Sequence, residues 1–187
     1  MGLLHEGGWN AATPAAITER AGAGKMSLYR HFTGRDDVVN AALVEFDRAQ
    51  RDWLLGPPDV EPAQRLLGAF DRVAERIERG ELGACPFVTT RLQIGDGTHP
   101  ASATALRHKR DTAAELGRVL KSMGHPSPAG TGEALLLLLD GAIVHAAMQG
   151  DARPVRVAKQ AAAALLGLPP HSDSSNDNDT REAPTGG

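Results

Sequence analysis

Cysteine occurs once among 187 residues, at Cys85, so an intrachain disulfide is excluded and no Cys/His cluster has zinc-ligand spacing. Two readings of Cys85 stand open: a small buried apolar residue, or a redox or catalytic thiol. Aromatics make up only 4% of the chain. Catalytic signatures are missing as well. G-x-S-x-G, H-E-x-x-H and the P-loop do not occur, and His99, His108, His125 and His145 stand at non-ligand spacings. These absences predict no enzyme, no metal and no cofactor. The richest apolar run, "EALLLLLDGAIVHAAM", is interrupted by Asp140 and His145, which predicts no membrane span. The opening "MGLLHEGGWN" lacks a basic segment followed by a long apolar one, so a cytoplasmic location is the default expectation.

An excess of positive charge is also lacking, since the net charge is −3. The deficit sits in the last 19 residues, where Asp173, Asp177, Asp179 and Glu182 face only Arg181. Residues 1–35 carry Arg20, Lys25, Arg30 and Arg35 against Glu6 and Glu19, a modest positive end that the whole-chain balance hides.

What is present is helical, with no convincing period-two alternation. Thr13-Pro14 reads as an N-cap and first-turn proline, opening a helix to about Ala21. "GAG" at 22–24 is a turn, a short helix covers roughly Lys25 to Phe32, and a longer one runs from Arg35 to about Leu54. "GPPDVEP" at 56–62 is a joint. Beyond it, Leu66, Phe70, Val73 and Ile77 form a stripe on a helix from about Pro62 to Arg79. Further helices are expected near Phe87–Ile94, Ala101–Met123, Gly132–Gln149 and Val155–Leu166. The division predicted is 1–55, 56–168 and a disordered acidic tail at 169–187.

On a helical wheel, Leu28 and Phe32 fall within about 40° of each other, while Met26 and Arg30 point nearly the opposite way. A helix so thinly anchored leaves most of its circumference free. With the preceding helix and glycine turn it forms a helix-turn-helix, whose second helix enters the major groove. The alternative is a solvated helix that happens to be basic.

The stretch "AATPAAITERAGAGKMSLYRHFTGRDDVVNAAL" resembles the DNA-binding signature of the TetR family of transcriptional repressors, over about Gly8 to Leu43. The resemblance implies an all-α chain: a three-helix-type helix-turn-helix module, its first helix mostly missing, followed by a larger helical effector-binding and dimerisation domain. It places Lys25, Met26, Ser27 and Tyr29 toward base edges. Thr13, Arg30, His31 and Arg35 fall at phosphate positions, and Ile17, Ala21, Leu28 and Phe32 in the module's core. The chemistry agrees: lysine donates to guanine, methionine packs on a thymine methyl, and serine reads either base type. Gly24 departs from the family's usual Ser or Thr cap, and Thr18 from its usual Ala. The implied partners are a palindromic double-stranded DNA operator, a second copy of the chain and a small effector. Few aromatics and few internal charges point to a mainly apolar effector. The rival reading is a ligand-binding helical dimer that has lost DNA binding with its first helix.

Candidate pocket residues are Phe70, Phe87, Leu92, Leu120 and Asp140. For Asp140, a lone carboxylate among leucines, a helix interface and a pocket are both open. Leu135 to Leu139 surround their helix with apolar side chains, and Gly141 and Ala142 permit close approach. The dimer interface is therefore expected at Leu138, Gly141, Ala142, His145, Ala158, Ala162 and Leu165. The competing reading makes these two helices the monomer's own core.

Overall fold

Proline sets the helix starts. The computed structural model describes residues 1–168, and six of its nine helices carry proline at the first or second position. There the missing N–H costs nothing and the fixed φ suits the helix. The elements are α1 (Gly2–Ala11), α2 (Pro14–Ala21), α3 (Lys25–His31), α4 (Arg35–Leu55), α5 (Pro62–Glu78), α6 (Pro86–Ile94), α7 (Pro100–Ser122), α8 (Pro128–Gln149) and α9 (Arg153–Leu165). The described residues contain no strand. The expected acidic tail at 169–187 lies outside the described residues.

Two apolar clusters organise these helices. The larger joins Leu54 and Leu55 at the end of α4 to α5, the second half of α7, α8 and α9. The smaller joins Leu4 of α1, Val39 and Leu43 of α4, Phe87 of α6, and Ala101 and Ala105 of α7. Thus α4 contributes to both. The Leu66, Phe70 and Val73 stripe of α5 is buried in the larger cluster, with Ile77 packed on it. Helices α7 and α8 cross where a Cβ on Gly132 would lie 2.7 Å from the Gly117 nitrogen and 2.8 Å from the Ala113 oxygen. Only glycine lets the backbones approach so closely.

Helix α1 is short, and Gly8 breaks it at φ 65°, ψ −151°. Two expectations need correction. Ala21, expected in the module core, is exposed, because the eight-residue α2 ends at that point and turns outward. Helix α8 is, by length and composition, apolar enough to cross a membrane, despite Asp140 and His145. Its Leu135, Leu136, Leu139, Ala142, Ile143 and Ala146 are instead buried against neighbouring helices, and Asp140 accepts from Lys109 of α7.

Between α4 and α7 runs a polar seam. Asp36 meets His99 at 3.1 Å, Asn40 accepts from Thr104 at 2.8 Å, and Asp47 meets His108 at 2.6 Å. Arg51 pairs with Asp111 at 2.9 Å and Glu115 at 3.5 Å. Two of the four histidines that looked scattered in the sequence, His99 and His108, are partners of α4 carboxylates.

Candidate nucleic-acid interface

The module is assembled by local rules. Thr13 caps α2, its hydroxyl accepting from the Ala16 N–H at 3.2 Å. Gly22 ends α2 in the left-handed region at φ 59°, and the Ala23 N–H reaches back to the Thr18 carbonyl at 3.0 Å. Gly24 opens α3 with no side-chain cap. Asp37, in the first turn of α4, accepts from the Thr33 N–H at 3.1 Å and so fixes the exit from α3.

Helix α3 is anchored by Leu28, which is buried, and by the half-buried Phe32 just beyond its end; Ile17 of α2 is half-buried too. Met26 is 79% exposed and Tyr29 46% exposed, while Lys25, Arg30 and His31 are also exposed. Ser27 is half-buried and Thr13 exposed. The structure therefore gathers Lys25, Met26, Tyr29, Arg30 and His31 on one short helix with their side chains outward. Arg20 of α2 is instead held by Glu6 at 2.9 Å.

Arg35 differs from its neighbours. It is half-buried, its guanidinium lies 4.2 Å from the Trp9 ring centroid, and it donates to the Trp9 carbonyl. Its Nε is buried without a partner. In this arrangement Arg35 ties α4 to the end of α1 and is not extended toward an external phosphate.

The module is also fastened to the body. At the Gly8 break, the Gln93 amide of α6 donates to the Gly7 carbonyl at 3.2 Å and accepts from the Asn10 N–H at 3.0 Å. The double glycine "GG" at 7–8 was the only sequence signal for this joint.

The expected pocket residues separate. Phe87 and Asp140 line an interior cavity of about 30 Å³ together with Cys85, His108 and Lys109. That volume suits one water and little more. Phe70 and Leu120 are sealed in the larger core, at 2% and 0% exposure. Leu92 is 74% exposed; five residues after Phe87 it points about 140° away from it on the same helix. Phe87 stacks on His108 with centroids 3.6 Å apart. Burial pushes His108 down to about 4, outweighing the raising effect of the Asp47 carboxylate. Burial alone would lower Lys109, but the Cys85 sulfur and the Asp140 carboxylate hold it raised.

Of the expected interface residues, Ala142, Ala158 and Ala162 are buried between helices of the same chain, because small side chains let α8 and α9 pack closely. Gly141, His145 and Leu165 are exposed and Leu138 half-buried. The sequence reading missed Leu137, Val144, Met148 and Val157, which are exposed at 66%, 45%, 76% and 55%. Leu137, Gly141, Val144 and Met148 follow the i, i+4, i+7, i+11 spacing of one helical ridge.

A small helix-turn-helix with an outward second helix, carried on a larger all-helical body, defines the architecture of a helical regulator. Residues 1–42 match the family described as bacterial regulatory proteins, tetR family, and the chain as a whole has the TetR-like fold. A putative TetR transcriptional regulator from Streptomyces avermitilis is similar at 26% identity and a TM-score of 0.69, over 86% of this chain and 96% of that one. A TetR-family transcriptional regulator from Streptomyces coelicolor shares the fold at 23% identity and TM-score 0.76, over 88% and 83%. Another from Agrobacterium tumefaciens does so at 18% and 0.77, over 89% and 91%. No curated protein sequence matches the chain significantly.

Proposed function

We propose that the chain is a non-catalytic, cytoplasmic transcriptional repressor. It acts as a homodimer on a roughly palindromic operator and is released by a small effector. One observation carries this reading: α3 leaves Met26 and Tyr29 uncovered among Lys25, Arg30 and His31 while Leu28 alone is fully buried. An exposed thioether and phenol set among cations give this face both apolar and donor character. A major groove offers thymine methyls and acceptor edges to this set. Residues 1–55 serve as the reading module, with Lys25, Met26, Ser27 and Tyr29 toward bases and Thr13, Arg30 and His31 toward phosphates. Residues 56–168 provide dimerisation and effector control.

The dimer reading is supported by the uncovered ridge on α8 and by Val157 and Leu165 on α9. An effector acts by preferring one spacing of the two modules over another. The interior cavity beside Phe87 and Asp140 is its proposed entry point, and the cavity must widen to admit it. The test is a gel shift with operator fragments selected from random DNA, repeated over several salt concentrations. Tyr29→Ala is expected to lose specific binding while keeping the weak salt-dependent component, and Arg30→Ala to weaken all DNA about equally. Undiminished operator affinity in Tyr29→Ala would contradict the assignment.

A further inference from the structure

A second cleft, apart from the interior cavity, opens where the end of α4, the Gly56–Pro58 joint, α5 and the second half of α7 meet, with a volume of about 940 Å³. Three arginines reach its wall: Arg65, Arg72 and Arg118. Arg72 is held rigidly. Its Nε and Nη2 donate to the Leu54 carbonyl at 3.0 and 2.6 Å, and Nη2 also donates to the Arg65 carbonyl at 3.2 Å. Gly56 and Gly68 make room for it, since a Cβ on either would lie 3.0 or 3.1 Å from Nη1. That leaves Nη1 without an acceptor among the described residues.

The charge around these arginines is incomplete. Neither Arg65 nor Arg72 has a carboxylate within ion-pair distance among the described residues. The Arg65 Nε is buried with no partner among the described residues. The cleft's two acids are already engaged: Asp52 with Arg48 at 3.7 Å, and Glu115 with Arg51 at 3.5 Å and Arg118 at 3.3 Å. Capping the α4 C-terminus accounts for the bonds Arg72 makes. It does not account for the orphaned Arg65 Nε. The cleft is also lined by Trp53, Pro57, Pro58 and the largely buried Leu55 and Val119, and the Arg76 guanidinium lies 4.5 Å from the Trp53 ring centroid.

We infer that this cleft binds a single-headed organic anion, a carboxylate or phosphate monoester with a short or flat apolar body. The head lies at Arg65, Arg72 and Arg118, and the body covers Trp53 and the two prolines. A planar guanidinium with its orientation fixed in advance loses little entropy on gripping such a head. Because the cleft joins α4 to α7 at the end of α4 far from α3, occupation would fix the relation between these two helices.

The test is titration of the full chain, in buffer free of phosphate and sulfate, with 3-phenylpropionate and with phenyl phosphate. The uncharged 3-phenylpropanol serves as the control. Calorimetry reads binding, and quenching of Trp53 in a Trp9→Phe background reads its location. At least one anion is expected to bind below about 1 mM and about tenfold or more tighter than the alcohol. Which anion binds better separates a carboxylate from a phosphate head. Arg65→Gln and Arg118→Gln, which leave the α4 cap intact, are each expected to weaken the anion about tenfold with unchanged helical circular dichroism. The proposal is overturned if the alcohol matches both anions, if neither anion binds, or if both glutamine variants bind as the original chain does. DNA plays no part in the readout, so failure here leaves the operator reading untouched.

Discussion

At the level of single residues, burial decides what a charge can do. His108 is 4% exposed, stacked on Phe87, and held to Asp47 through Nδ1 at 2.6 Å. In the unfolded chain it takes up a proton as pH falls through its ordinary 6.5, whereas in the fold it stays neutral down to about 4. Between these values the unfolded state binds more protons, so stability declines as pH falls through that window, by up to about 3 kcal/mol. Denaturant titrations from pH 7 to 4 should show a steeper loss than in His108→Gln. Parallel curves would refute a neutral His108. Arg35 illustrates the same competition. Its guanidinium already serves Trp9, so Arg35→Ala should lower the melting temperature by a few degrees. An unchanged melting temperature would show that the Trp9 contact contributes nothing.

At the level of elements, most of the helices could be read directly, and the reason is punctuation. The proline starts at Pro14 and Pro62 and the glycine stop at Gly22 put helix bounds within a residue or two of those observed, whereas α8 begins at Pro128, ahead of the expected Gly132. The face of α3 was equally legible, because seven residues with one buried leucine leave little ambiguity. Contacts between distant segments were not. Nothing local announces that Gln93 enters the break at Gly8, or that His99 and His108 answer carboxylates on α4, since each side chain is ordinary alone. The Gly8–Gln93 joint can be dissected. Gly8 adopts φ 65°, ψ −151°, a region essentially reserved for glycine, and a Cβ there would come within 2.6 Å of the Gln93 Oε1. Gly8→Ala should cost about 1–3 kcal/mol and Gln93→Ala about 1 kcal/mol or less. The double variant should cost less than the sum, because removing Gln93 relieves the clash but not the backbone strain. Denaturant melts of the four proteins measure this cycle, and strict additivity would mean the two residues do not meet.

At the level of the whole molecule, the body presents one surface that its own chain leaves unfinished. Leu135, Leu136 and Leu139 turn inward on α8 while Leu137, Val144 and Met148 stand outside, so the helix is apolar all round yet covered on only part of its circumference. In the proposed dimer this ridge meets its own copy across a two-fold axis, and Val157 and Leu165 of α9 extend the contact. The small residues Ala142, Ala158 and Ala162 cannot share that role, being enclosed between helices of one chain. Leu137→Asp combined with Met148→Asp places charge on the ridge without touching the interior. The variant should keep its helical circular dichroism and sediment as a monomer at tens of micromolar. Two modules on one rigid dimer gain from effective concentration, so the same variant should lose about a hundredfold or more in affinity for a palindrome. Its affinity for an isolated half-site should be nearly unchanged. A dimer that survived both charges would move the interface elsewhere. A monomer that bound the palindrome undiminished would sever dimerisation from operator recognition.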